Sequence, residues 1–250
     1  MDTKVYRTSE ELGAAAARYA AQILNEAIAE QGYARLTLST GASQLDTLKA
    51  LVQMDVDWRK VEMFHLDEYM NLASDHPASF RKYLKEKFTD LLPLAKAHFV
   101  NPEGDVAQNI LDLTNEIRKA PIDLGLIGVG ENAHIAFNDP PADFDTKEAY
   151  IVVNLDEACK QQQVSEGWFK TMEEVPRQAI SMTAHQIMQC KVIVSCVPYA
   201  VKAKAIRSLF EHEVTNQVPA TILKTHPHVT LFLDEASASL IDVNSLATSE

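Results

Sequence analysis

Cysteine is scarce in this chain. Only Cys159, Cys190 and Cys196 occur, an odd number with no C-x-x-C spacing. That excludes a disulfide framework or zinc knuckle as the organising device and suits a reducing cytoplasm. Cys196 lies in the apolar run "KVIVSCV" and reads as core, since free cysteine is usually buried. Basic charge is also short: 23 Lys and Arg against 35 Asp and Glu leave a net charge of −12. Nucleic acid and anionic membrane surfaces reward a basic face, so neither is an expected partner. An anionic small substrate stays open, because a local site can be positive on an acidic protein. No apolar run approaches the roughly 18 residues a membrane span needs. The first 32 residues carry Glu and Arg throughout and lack the apolar core of a signal peptide. No Pro/Gly/Ser-rich linker divides the chain, and there is no internal repeat.

What is there is an alternation. Thr8 and Glu11 form a capping-box pattern, apolar residues recur at helical spacing from Leu12 to Ile28, and Gly32 supplies the stop. Strands are expected at 34–39, 60–66, 122–130, 190–197 and 228–234. Helices are expected at about 44–54, 79–88, 107–120 and 199–211. Short apolar strands alternating with helices predict an α/β protein with a parallel, doubly wound sheet. All 250 residues are expected to form one domain. The rhythm breaks only at 145–178, a polar stretch ending near Pro176. It reads either as a lid over a site or as a solvated helix and loop.

In an open parallel sheet, ligands bind beyond the carboxyl ends of the strands. Four such exits carry chemistry here. Strand 34–39 runs into Ser39-Thr40-Gly41-Ala42-Ser43 ahead of a helix, where backbone N–H groups can meet an anion. No G-K-[ST] follows, so this is not a Walker A loop. Strand 60–66 runs into Asp67 and Glu68. A carboxylate beside an apolar strand can be pushed up in pKa and act as a base. Strand 122–130 runs into "GVGENAHIAFNDP", in which Gly128 and Gly130 allow a tight turn and close approach to a ligand. His134 there can exchange a proton near neutral pH, and Asp139 can orient it. The last exit places Lys202 in the first turn of a helix, as a counter-charge for an anion. His65, Asp67, His76, His226 and His228 lack compact metal-ligand spacing, so no metal is expected.

The motifs "STGASQLDTLKALV", "FHLDEYMNLASDHPASFRKYL", "IGVGENAHIAFNDP" and "LKTHPHVTLFLDEAS" resemble, in order and spacing, the glucosamine-6-phosphate deaminase family. The resemblance spans about residues 8–238. The 6-phosphogluconolactonases of the same superfamily typically read "GxDGHTASLFP" where this chain has "ENAHIAFNDP", so the deaminase branch is the closer match. The resemblance implies a Rossmann-like three-layer α/β/α sandwich with a mostly parallel sheet. It implies conversion of glucosamine 6-phosphate to fructose 6-phosphate and ammonia by acid–base aldose–ketose isomerisation, in amino-sugar metabolism, with no cofactor. By position Asp67 matches the general base and His134 the ring-opening histidine. Asp139 matches that histidine's carboxylate partner, and Asn132 a position held by Asp or Asn. Thr40, Gly41, Ser43 and Lys202 match the phosphate-binding loop and lysine, with Ser39, Ala42 and Gly130 beside them. The partner implied is a small sugar phosphate, and a homo-oligomer is allowed.

There are departures. Ala42 and Gln44 stand where the family loop has a small polar residue and a proline. Glu166 and Gly167 stand where the family lid has an arginine ahead of two aromatics; Lys160 or Arg177 could substitute, and Gln161–Gln163 could hydrogen-bond a different sugar. Two other readings remain at this stage: a lactonase using His134 to activate water, and a non-catalytic sugar-phosphate sensor.

Overall fold

The computed structural model describes residues 1–243. In chain order its elements are β1 (Asp2–Tyr6), α1 (Ser9–Gln31), β2 (Ala34–Leu38), α2 (Leu45–Leu51), β3 (Val61–His65), β4 (Asp67–Tyr69), α3 (Phe80–Lys87) and β5 (Lys96–His98). There follow α4 (Val106–Ile117), β6 (Leu124–Ile127), β7 (Tyr150–Asn154), α5 (Glu157–Ser165), β8 (Gln178–Met182), α6 (Ala184–Ile187), β9 (Val192–Val197), α7 (Ala203–Glu211) and β10 (Val229–Asp234).

Seven strands form one sheet in the order β1-β10-β9-β6-β2-β3-β5, and every neighbouring pair is parallel. From β2 the chain builds outward through β3 and β5, then returns to β6 on the other side and continues through β9 and β10. The direction of winding therefore reverses between β2 and β6. At such a point the two following loops part and leave a crevice. Strands β2, β6 and β9 are almost wholly buried, as a sheet covered by helices on both faces requires. One apolar cluster gathers Ala16, Leu24, Leu36, Leu48 and Phe232 under α1 and α2, and another gathers Phe64, Ile127, Ile187, Ile206 and Leu231 on the opposite side.

The Rossmann-like fold expected from the sequence is present. The start of α1 also forms as its capping box implies: the Thr8 side chain accepts from the Glu11 N–H, and Gly32, at φ 85°, ends the helix. Helix 44–54 is shorter than expected, because a 3-10 turn over Ala42–Gln44 precedes α2 and the helix stops at Leu51.

Two features depart further. The N-terminal residues 2–6 form an edge strand beside β10, although they are too short and mixed to show periodicity. The residues Asp67-Glu68-Tyr69 do not merely end β3. They form the first strand of a separate antiparallel sheet, ordered β4-β8-β7. The stretch 145–178 is therefore not a plain solvated helix and loop: it supplies β7 to that sheet and α5 to the crevice. The sheet's strands are short, and β4 joins it only by pairing with the distant β8, which local pattern cannot register.

The alternation along β4 sends Asp67 and Glu68 to different tasks. Glu68 is fully buried and caps the start of α3. Its carboxylate accepts from the N–H groups of Phe80 and Arg81 at 3.1 and 2.8 Å, from Ser79 Oγ at 2.8 Å and from the Tyr69 N–H at 2.9 Å. The Arg81 guanidinium lies 3.4 Å away. Removing one partner of a buried ion pair strands the other, which typically costs about 3–5 kcal/mol. Glu68→Ala is accordingly expected to lower unfolding stability by that amount in a urea titration. A loss under about 1 kcal/mol would contradict the anchoring role.

Among the described residues no helix is long and apolar enough to cross a membrane. Cys159, Cys190 and Cys196 are all buried free thiols.

Candidate active site

The crevice between β2 and β6 opens into a cleft. Its lining includes Ser39, Thr40, Gly41, Ser43, Asp67, Gly130, His134 and Lys202, together with Gln162, Gln163 and Glu166 from α5 and the turn after it. Four strand exits thus meet at one place.

The loop after β2 is fixed from three sides. The Ser39 N–H donates to the Leu126 carbonyl at 2.9 Å, the Tyr83 hydroxyl donates to the Gly41 carbonyl at 2.9 Å, and Gln44 Nε2 donates to the Cys196 carbonyl at 3.0 Å. Gln44, which replaces the family's proline, thereby ties this loop to the end of β9. The Ser39 hydroxyl oxygen is buried without a partner. Lys202 sits in a 3-10 turn ahead of α7 and is 3% exposed. Burial pulls its ammonium below the usual lysine range, against the opposing pull of Glu166, Glu131 and Cys159. A buried cation, an unpartnered hydroxyl and a turn of backbone N–H groups form a corner suited to an anion. Ala42 does not line the cleft; it begins the 3-10 turn leading into α2.

The loop after β6 presents His134. The ring lies so close over Gly130 that a Cβ there would collide with Cε1, Nε2 and Nδ1. Gly130 is thus required by contact. The backbone around them is tightly wound: the Gly130 N–H donates to the His134 carbonyl at 2.9 Å, and Ala133 and Ala136 adopt φ of 64° and 47°. Such left-handed conformations at residues with a side chain are held only where the surroundings determine them. Here Asn138 does so, donating from Nδ2 to the Ile135 and Met182 carbonyls and accepting from the Ala184 N–H.

His134 Nδ1 stands 3.0 Å from Asp139 Oδ1, close enough to pair though off the line of a straight hydrogen bond. Burial raises the Asp139 carboxyl pKa, but His134, the Asn132 amide and the Asp156 N–H outweigh it and hold Asp139 below the usual carboxylate range. Asn132 does not line the cleft. Its Nδ2 donates to Asp139 at 3.2 Å and its Oδ1 accepts from the His134 N–H at 3.1 Å, so it braces the pair from behind. Cys159 completes the only group of three potential metal-ligating side chains among the described residues, with His134 and Asp139. Its thiol is pushed well above the usual range, by burial first and then by Asp139 and Asp156. None of His65, His76, His226 and His228 belongs to such a group.

Asp67 reaches the cleft from β4 and is 6% exposed. Burial, then the charge of Glu68, raises its carboxyl to about 8. Behind it His65 is fully buried, has no hydrogen bond on either ring nitrogen and is pushed down to about 3 by burial and by Arg81, so it stays neutral. An aspartate able to exchange a proton near neutral pH, facing the same space as a histidine–carboxylate pair, can support acid–base chemistry.

Residue patterning alone did not single out Gln44 or Tyr83. Both lie within predicted helices, and nothing local marks a side chain that reaches a loop far along the chain. Lys160 and Arg177 do not line the cleft: Lys160 pairs with Glu157, and Arg177 lies elsewhere on the surface.

A doubly wound α/β sheet whose switch point holds an acid–base pair, a raised carboxylate and an anion corner is the architecture of a small-molecule enzyme. The profile of the glucosamine-6-phosphate isomerases/6-phosphogluconolactonases matches residues 7–232, and the chain belongs to that family. It is 37% identical over 230 residues to the glucosamine-6-phosphate deaminase of Thermoanaerobacter pseudethanolicus, covering 89% of each chain. It is 32% identical over 240 residues to that of Lactobacillus delbrueckii subsp. bulgaricus, covering 95% of this chain and 98% of the other. A solved monomeric glucosamine-6-phosphate deaminase superposes with a TM-score of 0.89 at 28% identity, over 96% of this chain and all of that one. A 6-phosphogluconolactonase from Shewanella baltica shares the fold, with a TM-score of 0.78 at 18% identity over 94% of this chain and 97% of its own.

Proposed function

We propose that this chain is an amino-sugar-phosphate deaminase, converting glucosamine 6-phosphate or a close relative to fructose 6-phosphate and ammonia. The observation that carries the proposal is the raised carboxylate of Asp67, facing the same cleft as the His134–Asp139 pair and the Lys202 corner. Homology to deaminases over most of the chain supports the same reaction.

The chemistry divides among these groups. The phosphate is held at the Lys202 corner by the Ser39–Ser43 loop. His134 moves a proton from O1 to O5 and so opens the sugar ring, while Asp139 keeps the imidazole oriented and Asn132 keeps Asp139 in place. In the open chain the C1 aldehyde makes the C2 proton acidic. Ionised Asp67 removes it while O1 takes the proton shed by the substrate's ammonium group, giving an enolamine, and Asp67 then returns its proton to C1. The product is a ketose imine at C2. Water adds to that carbon and ammonia leaves, which gives fructose 6-phosphate with all atoms accounted for. Each protein group has a proton to move or a charge to hold, and the oxidation at C2 is balanced by the reduction at C1, so the reaction needs no outside oxidant or reductant.

All the residues invoked come from one chain, so a monomer is sufficient for the site. Three buried free thiols suit the cytoplasm as its compartment.

A side-by-side assay tests the proposal. Ammonia release from glucosamine 6-phosphate, without acid release from 6-phosphogluconolactone, is the expected result. Acid release from the lactone with no ammonia from the amino sugar would replace the deaminase with a lactone hydrolase.

A further inference from the structure

The anion corner already faces an anion, and it belongs to the chain itself. Glu166 follows the end of α5. Its Oε1 accepts from Gln162 Nε2 at 2.7 Å and stands 3.9 Å from Lys202 Nζ. Its Oε2 accepts from Trp168 Nε1 at 3.0 Å and points toward the loop after β2, where a Cβ on Gly41 would lie 4.0 Å from it. The Glu166 side chain is 18% exposed and that of Lys202 is 4% exposed. Beside them the Ser39 hydroxyl oxygen is buried with no partner. The elements that would bind a phosphate are thus assembled around a carboxylate of the protein.

A phosphate monoester carries about −1.5 to −2 charges near neutral pH. Lys202 and Glu166 together sum to no net charge, so an incoming phosphate meets the attraction of one and the repulsion of the other. At this separation in a partly dry site, unit charges still interact strongly. Both contacts that steady Glu166 come from its own segment, Gln162 and Trp168, so turning its side chain away leaves the loops after β2 and β6 in place.

We propose that Glu166 is a specificity-determining residue, a tethered carboxylate that competes with the substrate's phosphate for Lys202. The cleft therefore selects sugar phosphates that can displace it and binds bare phosphate weakly. The inference rests on the Lys202 corner being the phosphate subsite.

Calorimetric titration of the full chain with inorganic phosphate tests it without depending on turnover. Glu166→Gln removes the charge with little change of shape, and Glu166→Ala removes the whole carboxylate, so the test survives if one of them fails to fold. Both are expected to bind phosphate about tenfold tighter or more than the unaltered protein, which corresponds to about 1.4 kcal/mol. Lys202→Met is expected to abolish the binding. Unchanged or weaker phosphate binding in the Glu166 variants, with Lys202→Met still losing it, would overturn the role of Glu166 alone. Phosphate binding that survives in Lys202→Met, or is absent from every protein, would overturn the phosphate subsite as well.

Discussion

Asp67→Asn is expected to lose turnover by roughly 10²–10⁴-fold while gaining stability at alkaline pH. The two effects share one cause. Burial and the neighbouring Glu68 raise the Asp67 carboxyl to about 8 in the folded chain, against about 3.9 when unfolded. Between these values the folded protein binds a proton that the unfolded chain has released. Stability from this group is therefore full at low pH, falls as pH rises from about 4 to about 8, and is lowest above that. An asparagine carries no charge and escapes that loss. The variant should match the unaltered protein near pH 4 and exceed it by on the order of a few kcal/mol above pH 8, or roughly 5–10 °C in Tm for a chain of this size. A general base works only when ionised, so kcat/KM of the unaltered enzyme should climb with pH through an acid limb centred near 8. Melting curves and pH–rate profiles of both proteins check this. Near-normal activity in Asp67→Asn, or a variant less stable at every pH, would contradict the assignment.

Gly130→Ala is expected to disable the site while leaving the fold intact. The added methyl would fall on the His134 ring, which is flanked by the tightly wound backbone of Ala133 and anchored at Asp139. The ring must swing away, and its pairing with Asp139 is lost. Misplacing a reacting group by about 1 Å can cost on the order of 10²-fold. A fall in kcat of about 10²–10³-fold is expected, similar to that of His134→Gln. Inorganic phosphate binding should be unchanged, because the Lys202 corner lies on other loops. Activity within a factor of a few of normal would show that the ring is not held where the chemistry needs it.

Much of this architecture was legible in the chain. Apolar strands such as "LGLIGV" and "VIVSCV" announce a sheet buried on both faces, and the switch-point rule leads from their exits to Ser39, Asp67, His134 and Lys202. What stayed hidden depends on contacts between distant segments. Asp67 and Glu68 look alike in sequence. Only the pairing of β4 with β8 sends one to the cleft and the other beneath α3. The antiparallel sheet escaped notice because β4 has three residues and its partner β8 lies over 100 positions away. Glu166 was visible as a departure from a family pattern. That its carboxylate faces Lys202 required the path of α5 across the cleft.

The proposed reaction couples an isomerisation to loss of ammonia. The most direct test follows glucosamine 6-phosphate given to the purified protein by proton NMR, with ammonia assayed in parallel. One fructose 6-phosphate and one ammonia should appear for each sugar consumed, and both should form at least about 10²-fold more slowly with Asp67→Asn. Sugar consumed without ammonia, a ketose that keeps its nitrogen, or a near-normal rate with Asp67→Asn would contradict this reaction.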